Sequence, residues 1–167
     1  MADDALLALA EELGDVLKRR GWMLTLAESC TGGWAAQTVT AIAGSSAWFD
    51  RGFVTYSNAA KTEMLGVSEH TLATYGAVSQ ETAREMALGA IQHSRAQIAV
   101  SITGIAGPDG GSPDKPVGMV CFAWASTDGK TVGATTEHFS GNREHIRRQA
   151  VQTALIGLLH KAQATPD

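Results

Sequence analysis

The chain has 167 residues, 44% hydrophobic and 18% charged, with 18 glycines and a formal charge of −4 at pH 7. That length suits one domain, residues 1–167, around a single core, and the composition argues against disorder and coiled coil. Basic residues are scattered and no stretch is apolar enough to span a bilayer. The N-terminus "MADDALLALAEELGDVLKRR" is acidic and amphipathic, unlike a signal peptide, so the expectations are no nucleic acid, no membrane and a cytoplasmic location. Cys30 and Cys121 are too few and too far apart for a cysteine metal cluster, and both read as reduced thiols.

Leu6, Leu9, Leu13, Val16 and Leu17 recur at helical spacing, and Gly21 marks the stop. "WMLTLAE" (22–28) reads as a buried strand and "GGWAAQTVTAIA" (32–43) as a helix, which places "ESCTGG" on a strand-to-helix turn. "RGFVTYS" (51–57) is strand-like, and "NAAKTEML" follows as a helix with Asn58 as its cap. Ser79 caps the helix "QETAREMALGAIQHS", with Glu81 in its first turn. "AQIAVSIT" (96–103) is a third strand and leads into the glycine-rich loop "GIAGPDGGSPDKP". "VGMVCFAWAS" and "TVGATTEHF" flank "TDGK", a hairpin signal. Asn142 caps a last helix, "REHIRRQAVQTALIGLLHKA". The order predicts an α/β fold: a three-layer α/β/α sandwich with a mixed, mostly parallel sheet of about five strands and one hairpin among crossover connections. Loops 28–33, 56–61 and 103–111 all follow strands, where open sheets bind ligands, so one composite site is expected.

Ser29 in its turn is either a nucleophile, with the amides of Thr31, Gly32 and Gly33 as oxyanion donors, or merely a helix cap. Cys30 competes as nucleophile but has no histidine in any of the three loops, and reads better as a small buried thiol. Lys61 can take a serine proton only where burial or nearby positive charge lowers its pKa, with Tyr56 relaying a proton or holding the hydroxyl; otherwise both are surface residues. "TGIAGPDGG", including Thr103, Gly104 and Gly107, resembles a phosphate-cradling loop but lacks the P-loop ending, and a structural loop explains it equally well. Asp109 and Asp114 have no His or Glu partners, so no metal is expected. Arg143 and Arg147 share a helix face and suit either a phosphate or surface ion pairing with Glu144. Trp22, Trp34 and Trp48 read as core.

Together, "LAESCTGG", "GFVTYSNAAK", "GAVSQET", "SITGIAGPDGG", "KPVGMV" and "REHIRRQAV" occur in the order and spacing of the CinA C-terminal domain family, which the chain resembles over roughly residues 5 to 160. The resemblance implies an α/β/α fold and an enzyme of pyridine nucleotide salvage, hydrolysing the carboxamide of nicotinamide mononucleotide to nicotinate mononucleotide and ammonia without metal or cofactor. It implies a serine nucleophile matched by Ser29, lysine and tyrosine matched by Lys61 and Tyr56, and an arginine matched by Arg143. The phosphate anchor is then sought at Arg143, Arg147 or the 104–111 loop. The larger N-terminal domain of fused members has no counterpart here, so a stand-alone form is expected, with homo-oligomerisation compatible but no interface readable. Ala59 stands where relatives carry Glu, and Trp34 where an aliphatic residue is commoner. Two alternatives stay open: a non-catalytic nucleotide-binding or competence-associated protein, and an amidohydrolase of another small amide.

Overall fold

The computed structural model describes residues 3–127 and 132–164. Helix α1 (Asp4–Arg20) starts at Asp3, whose carboxylate accepts from the Leu6 amide, and stops at Gly21 in the left-handed region. Strand β1 (Leu24–Glu28) is buried along its whole length and feeds α2 (Trp34–Thr40) through the 29–33 turn. Strand β2 (Phe49–Val54) ends two residues before Tyr56. Helix α3 (Asn58–Leu65) is capped not by Asn58 but by Ser57, whose hydroxyl accepts from the Ala60 amide and makes Asn58 the first helical residue.

A short helix unforeseen in the sequence, α4 (Glu69–Tyr75), begins at Ser68. Helix α5 (Gln80–Gln92) is capped by Ser79 and leads to β3 (Ile98–Gly104). Strands β4 (Met119–Ser126) and β5 (Gly133–His138) pair antiparallel, and the expected Asp128–Gly129 turn lies outside the described residues. Helix α6 (Arg143–Ala164) closes the chain, with Asn142 Oδ1 accepting from the His145 amide.

The sheet order is β2-β1-β3-β4-β5, with β1 parallel to β2 and β3, and β4 antiparallel to both of its neighbours. Four strands thus run one way and β4 the other. The sheet has a second antiparallel connection beyond the expected hairpin: the 105–118 loop returns the chain directly from β3 to β4 rather than crossing over. From β1 the chain moves outward to β2 and then back across to β3, so loops leaving the C-terminal ends of β1 and β3 diverge. That switch point is where α/β sheets open a crevice.

The two faces are packed differently. Leu24, Leu26, Ile98, Val100, Ile102, Val120 and Phe122 meet α1, α2 and α6 in a core of large side chains around Trp48. Toward α5 the sheet presents small residues, Ala27, Ala99, Cys121, Ala123 and Ala125, against Ala83, Ala87 and Ala90, so the helix lies close. Ser101 Oγ donates to the Ala83 carbonyl at 2.6 Å across this layer. No helix among the described residues is long and apolar enough to cross a membrane. At Gly89, α5 passes so near α3 that an added Cβ would overlap the Leu65 carbonyl oxygen. Gly89→Ala is expected to cost about 1–3 kcal/mol through this backbone overlap, read as a lower urea midpoint at unchanged m-value.

Candidate active site

Glu28 ends β1 level with Val54 of β2 and Ile102 of β3. One residue on, the Ser29 amide still donates to the Ile102 carbonyl at 2.9 Å, so the sheet itself fixes where the Ser29 side chain begins. The chain then turns through Gly32 (φ 57°) and Gly33 (φ 103°), conformations that strain any residue with a Cβ. The Gly32 amide closes this turn on the Ser29 carbonyl at 3.0 Å.

Glu28 is 1% exposed and spends its carboxylate on the same turn. Its Oε1 accepts from the Thr31 hydroxyl (2.7 Å) and the Ala35 amide (2.9 Å), and its Oε2 from the Ala36 amide (3.0 Å). A carboxylate at the amide-rich start of a helix is favourably placed, and three donors offset much of its burial. Sequence reading assigned Glu28 no role. The available signal is an acid closing an otherwise apolar strand immediately before a helix-starting turn.

Lys61 comes from the first turn of α3, one helical turn before Leu65, on the face that meets the sheet. It is 1% exposed. Nζ donates to Ser29 Oγ at 2.9 Å, to the Thr55 carbonyl at 2.9 Å and to the Tyr56 carbonyl at 3.4 Å. Burial pushes its pKa below the ordinary 10.5. A neutral amine at this position keeps both remaining hydrogens on the two carbonyls and turns its lone pair toward Ser29 Oγ.

Ser29 and Lys61 lie in a cavity of about 280 Å³ beyond the ends of β1 and β3. The three loops singled out in the sequence meet there: Cys30 lines it from the first, Tyr56 and Asn58 from the second, Thr103, Gly104, Gly107 and Asp109 from the third. Ala77 and Val78 add an apolar wall. The Thr103 hydroxyl is committed to the Ala77 carbonyl at 2.8 Å, which ties that wall to β3.

Tyr56 and Arg143 form the rim. The Tyr56 residue is 62% exposed, and its hydroxyl accepts from Arg143 Nη2 at 3.2 Å. Only the Tyr56 backbone carbonyl reaches Lys61. Arg143 Nη1 donates to the Gly107 carbonyl at 2.8 Å, so the guanidinium lines the cavity with neutral partners.

Arg147 sits elsewhere. Its Nε donates to the Cys30 carbonyl (3.0 Å), its Nη2 to the Thr31 carbonyl (3.1 Å), and its guanidinium lies 5.5 Å from the Trp34 ring centre. It is a backbone brace in this structure and does not line the cavity, in contrast to the substrate contact expected from sequence. Thr31, Gly32 and Gly33 likewise do not line it, and the Gly32 amide is already engaged within the turn. Among the described residues no group of three or more His, Cys, Asp or Glu is placed to hold a metal ion.

In this mixed α/β/α fold a turn serine meets a buried lysine beside a cavity at a sheet switch point. The chain belongs to the CinA C-terminal domain family, whose model matches residues 6–162. It is 58% identical to the nicotinamide-nucleotide amidohydrolase PncC of Escherichia coli (strain K12) over 155 residues, 93% of either chain. Against the nicotinamide-nucleotide amidohydrolase PncC of Pseudomonas putida it is 52% identical, covering 93% of this chain and 96% of that one. The crystal structure of the competence/damage inducible protein CihA from Agrobacterium tumefaciens matches with a TM-score of 0.90 at 49% identity, covering 92% of this chain and 93% of that one.

Two measurements follow from the burial of these groups. Burial pushes the Cys30 thiol up to about 11, so iodoacetamide at neutral pH should leave Cys30 unmodified in folded protein and label it on denaturation. Lys61 binds its proton less tightly folded than unfolded, so its contribution to stability is full above 10.5 and is lost as pH falls through the lowered value. The difference in unfolding free energy between wild type and Lys61→Met should therefore vary with pH across that window, as measured by urea titration.

Proposed function

We propose that this protein hydrolyses the carboxamide of nicotinamide mononucleotide to nicotinate mononucleotide and ammonia, with Ser29 as nucleophile and Lys61 as its base, and without metal or cofactor. The observation that carries the reading is the buried 2.9 Å contact between Lys61 Nζ and Ser29 Oγ inside the cavity. The names of the relatives at 52–58% identity point to the same substrate.

Neutral Lys61 takes the Ser29 proton as Oγ bonds to the carboxamide carbon, and the carbonyl oxygen becomes the oxyanion. The backbone amide of Cys30, the turn residue that lines the cavity beside Ser29, holds that charge in place of the Thr31, Gly32 and Gly33 amides, which do not line it. Lys61 then gives the proton to the departing nitrogen, the C–N bond breaks and ammonia leaves. Water, deprotonated by the same amine, attacks the acyl ester; the acid is released and the proton returns to Ser29 Oγ. Because Lys61 reaches Ser29 directly, Tyr56 is not needed as a relay, and its hydroxyl serves the rim with Arg143. Arg143, bonded among the described residues to neutral groups at the cavity edge, is the phosphate anchor, with Gly104 and Gly107 lining the cavity beside it. All of these parts belong to one domain, proposed to span residues 1–167.

The test is ammonia release from nicotinamide mononucleotide with chelator present, the acid product confirmed by mass. Wild type should turn over, and Ser29→Ala should lose roughly 10³-fold or more in kcat. No turnover by folded wild type sinks the reading. kcat/KM should rise with pH along a limb set by Lys61 below 10.5. Arg143→Ala should raise KM about tenfold to a hundredfold, the usual cost of a lost charge-assisted hydrogen bond. Equal turnover of free nicotinamide by wild type would remove the phosphate anchor from the account.

A further inference from the structure

The turn that presents Ser29 is held from two sides by opposite charges, neither of which touches the cavity. On one side Glu28 gathers the Thr31 hydroxyl and the Ala35 and Ala36 amides. On the other, Arg147 reaches in from α6 and takes the Cys30 and Thr31 carbonyls through two different nitrogens. With the Gly32 amide on the Ser29 carbonyl, the carbonyls of residues 29, 30 and 31 all have fixed partners.

We infer that Arg147 is a positioning residue for the nucleophile: its two-point grip on the Cys30 and Thr31 carbonyls, opposed by Glu28, aims Ser29 Oγ at Lys61. The inference rests on the serine–lysine reading of the site and goes beyond it. A planar fork of two N–H groups, one on each of two successive carbonyls, fixes the placement of those peptide groups relative to each other, which a single ammonium does less strictly. The Trp34 ring beneath the guanidinium adds a third support. Arg147 also lies one helical turn beyond Arg143 on α6, so the same helix that carries the rim arginine braces the nucleophile's turn. Small errors in such placement are costly, since about 1 Å of displacement can lose 10²-fold in rate.

The experiment compares wild type, Arg147→Lys and Arg147→Ala in two assays, after urea titration confirms that each is folded. In the first, kcat and KM are measured on nicotinamide mononucleotide. In the second, Ser29 is labelled by a small fluorophosphonate, followed by intact mass, which reports nucleophile placement whatever the natural substrate is. Arg147→Lys should lower kcat about 10- to 100-fold with KM within about twofold, and should slow Ser29 labelling to match. Added methylguanidinium should restore part of the rate to Arg147→Ala and none to wild type. A raised KM with kcat retained would make Arg147 a substrate contact and overturn the inference, as would labelling at the wild-type rate in both variants. If wild type labels at Ser29 yet ignores the nucleotide, the substrate reading fails while slowed labelling of Arg147→Lys sustains the positioning role. No labelling of wild type would remove both.

Discussion

Everything at this site depends on an amine kept out of water. A lysine on a surface helix is an ammonium with no lone pair to offer, and a serine beside it is an ordinary alcohol. Lys61 is moved toward the neutral form because α3 places it on the same face as Leu65, which packs with Ala27 and Ala99 of the sheet, and burial lowers its pKa. Two backbone carbonyls at the end of β2 then take its hydrogens without adding a charge that would hold the proton. A carboxylate in either position would have raised the amine's pKa.

The depth of Lys61 is a packing result, and it traces to residues far from the cavity. Small side chains on one face of the sheet let α5 lie close to it, and Gly89 lets α3 lie close to α5. Larger residues at these places would lift α3 outward and admit water to the amine. The opposite face works by bulk: Leu24, Leu26, Phe122 and the α6 side chains Ile146, Val151 and Leu155 fill one continuous core. That core seats α6 over β3 and β4, and so fixes where Arg147 meets the 29–33 turn. One face sets the depth of Lys61 and the other sets the turn that carries Ser29.

Much of this arrangement is legible in the sequence, and the exceptions have physical reasons. Strong periodicity and Gly21 delimit α1, and the three post-strand loops can be recognised as a composite site before any coordinates. The cap of α3 is missed by one residue because Ser57 and Asn58 are both good caps, and only backbone geometry chooses between them. The 105–118 return to β4 is hidden because a glycine- and proline-rich loop gives no sign of strand direction. Arg143 and Arg147 share a helix face, which suggests a shared task, yet one turn of helix is enough to carry one guanidinium to the rim and the other to the backbone of the 29–33 turn. Glu28 is silent in the sequence because its partners are backbone amides, which every residue has.

On the proposed reading, the placement of charge separates two jobs that one residue could not do together. A phosphate is held best by a permanent cation in contact with solvent, where the ligand can enter, and Arg143 at the rim is such a group. A proton is moved best by a group whose pKa lies near the working pH, and burial shifts Lys61 at the floor in that direction. Bringing a guanidinium down to the floor would lower the amine's pKa further but would leave a second buried cation without a carboxylate. Raising the lysine to the rim would return it to water and to its ordinary pKa. Tyr56 spans the two levels without mixing them: its backbone carbonyl steadies the base while its hydroxyl takes the rim arginine. On the proposed reading, binding energy at the phosphate and chemistry at the carboxamide are thus adjusted independently, linked through the short stretch from Tyr56 to Lys61.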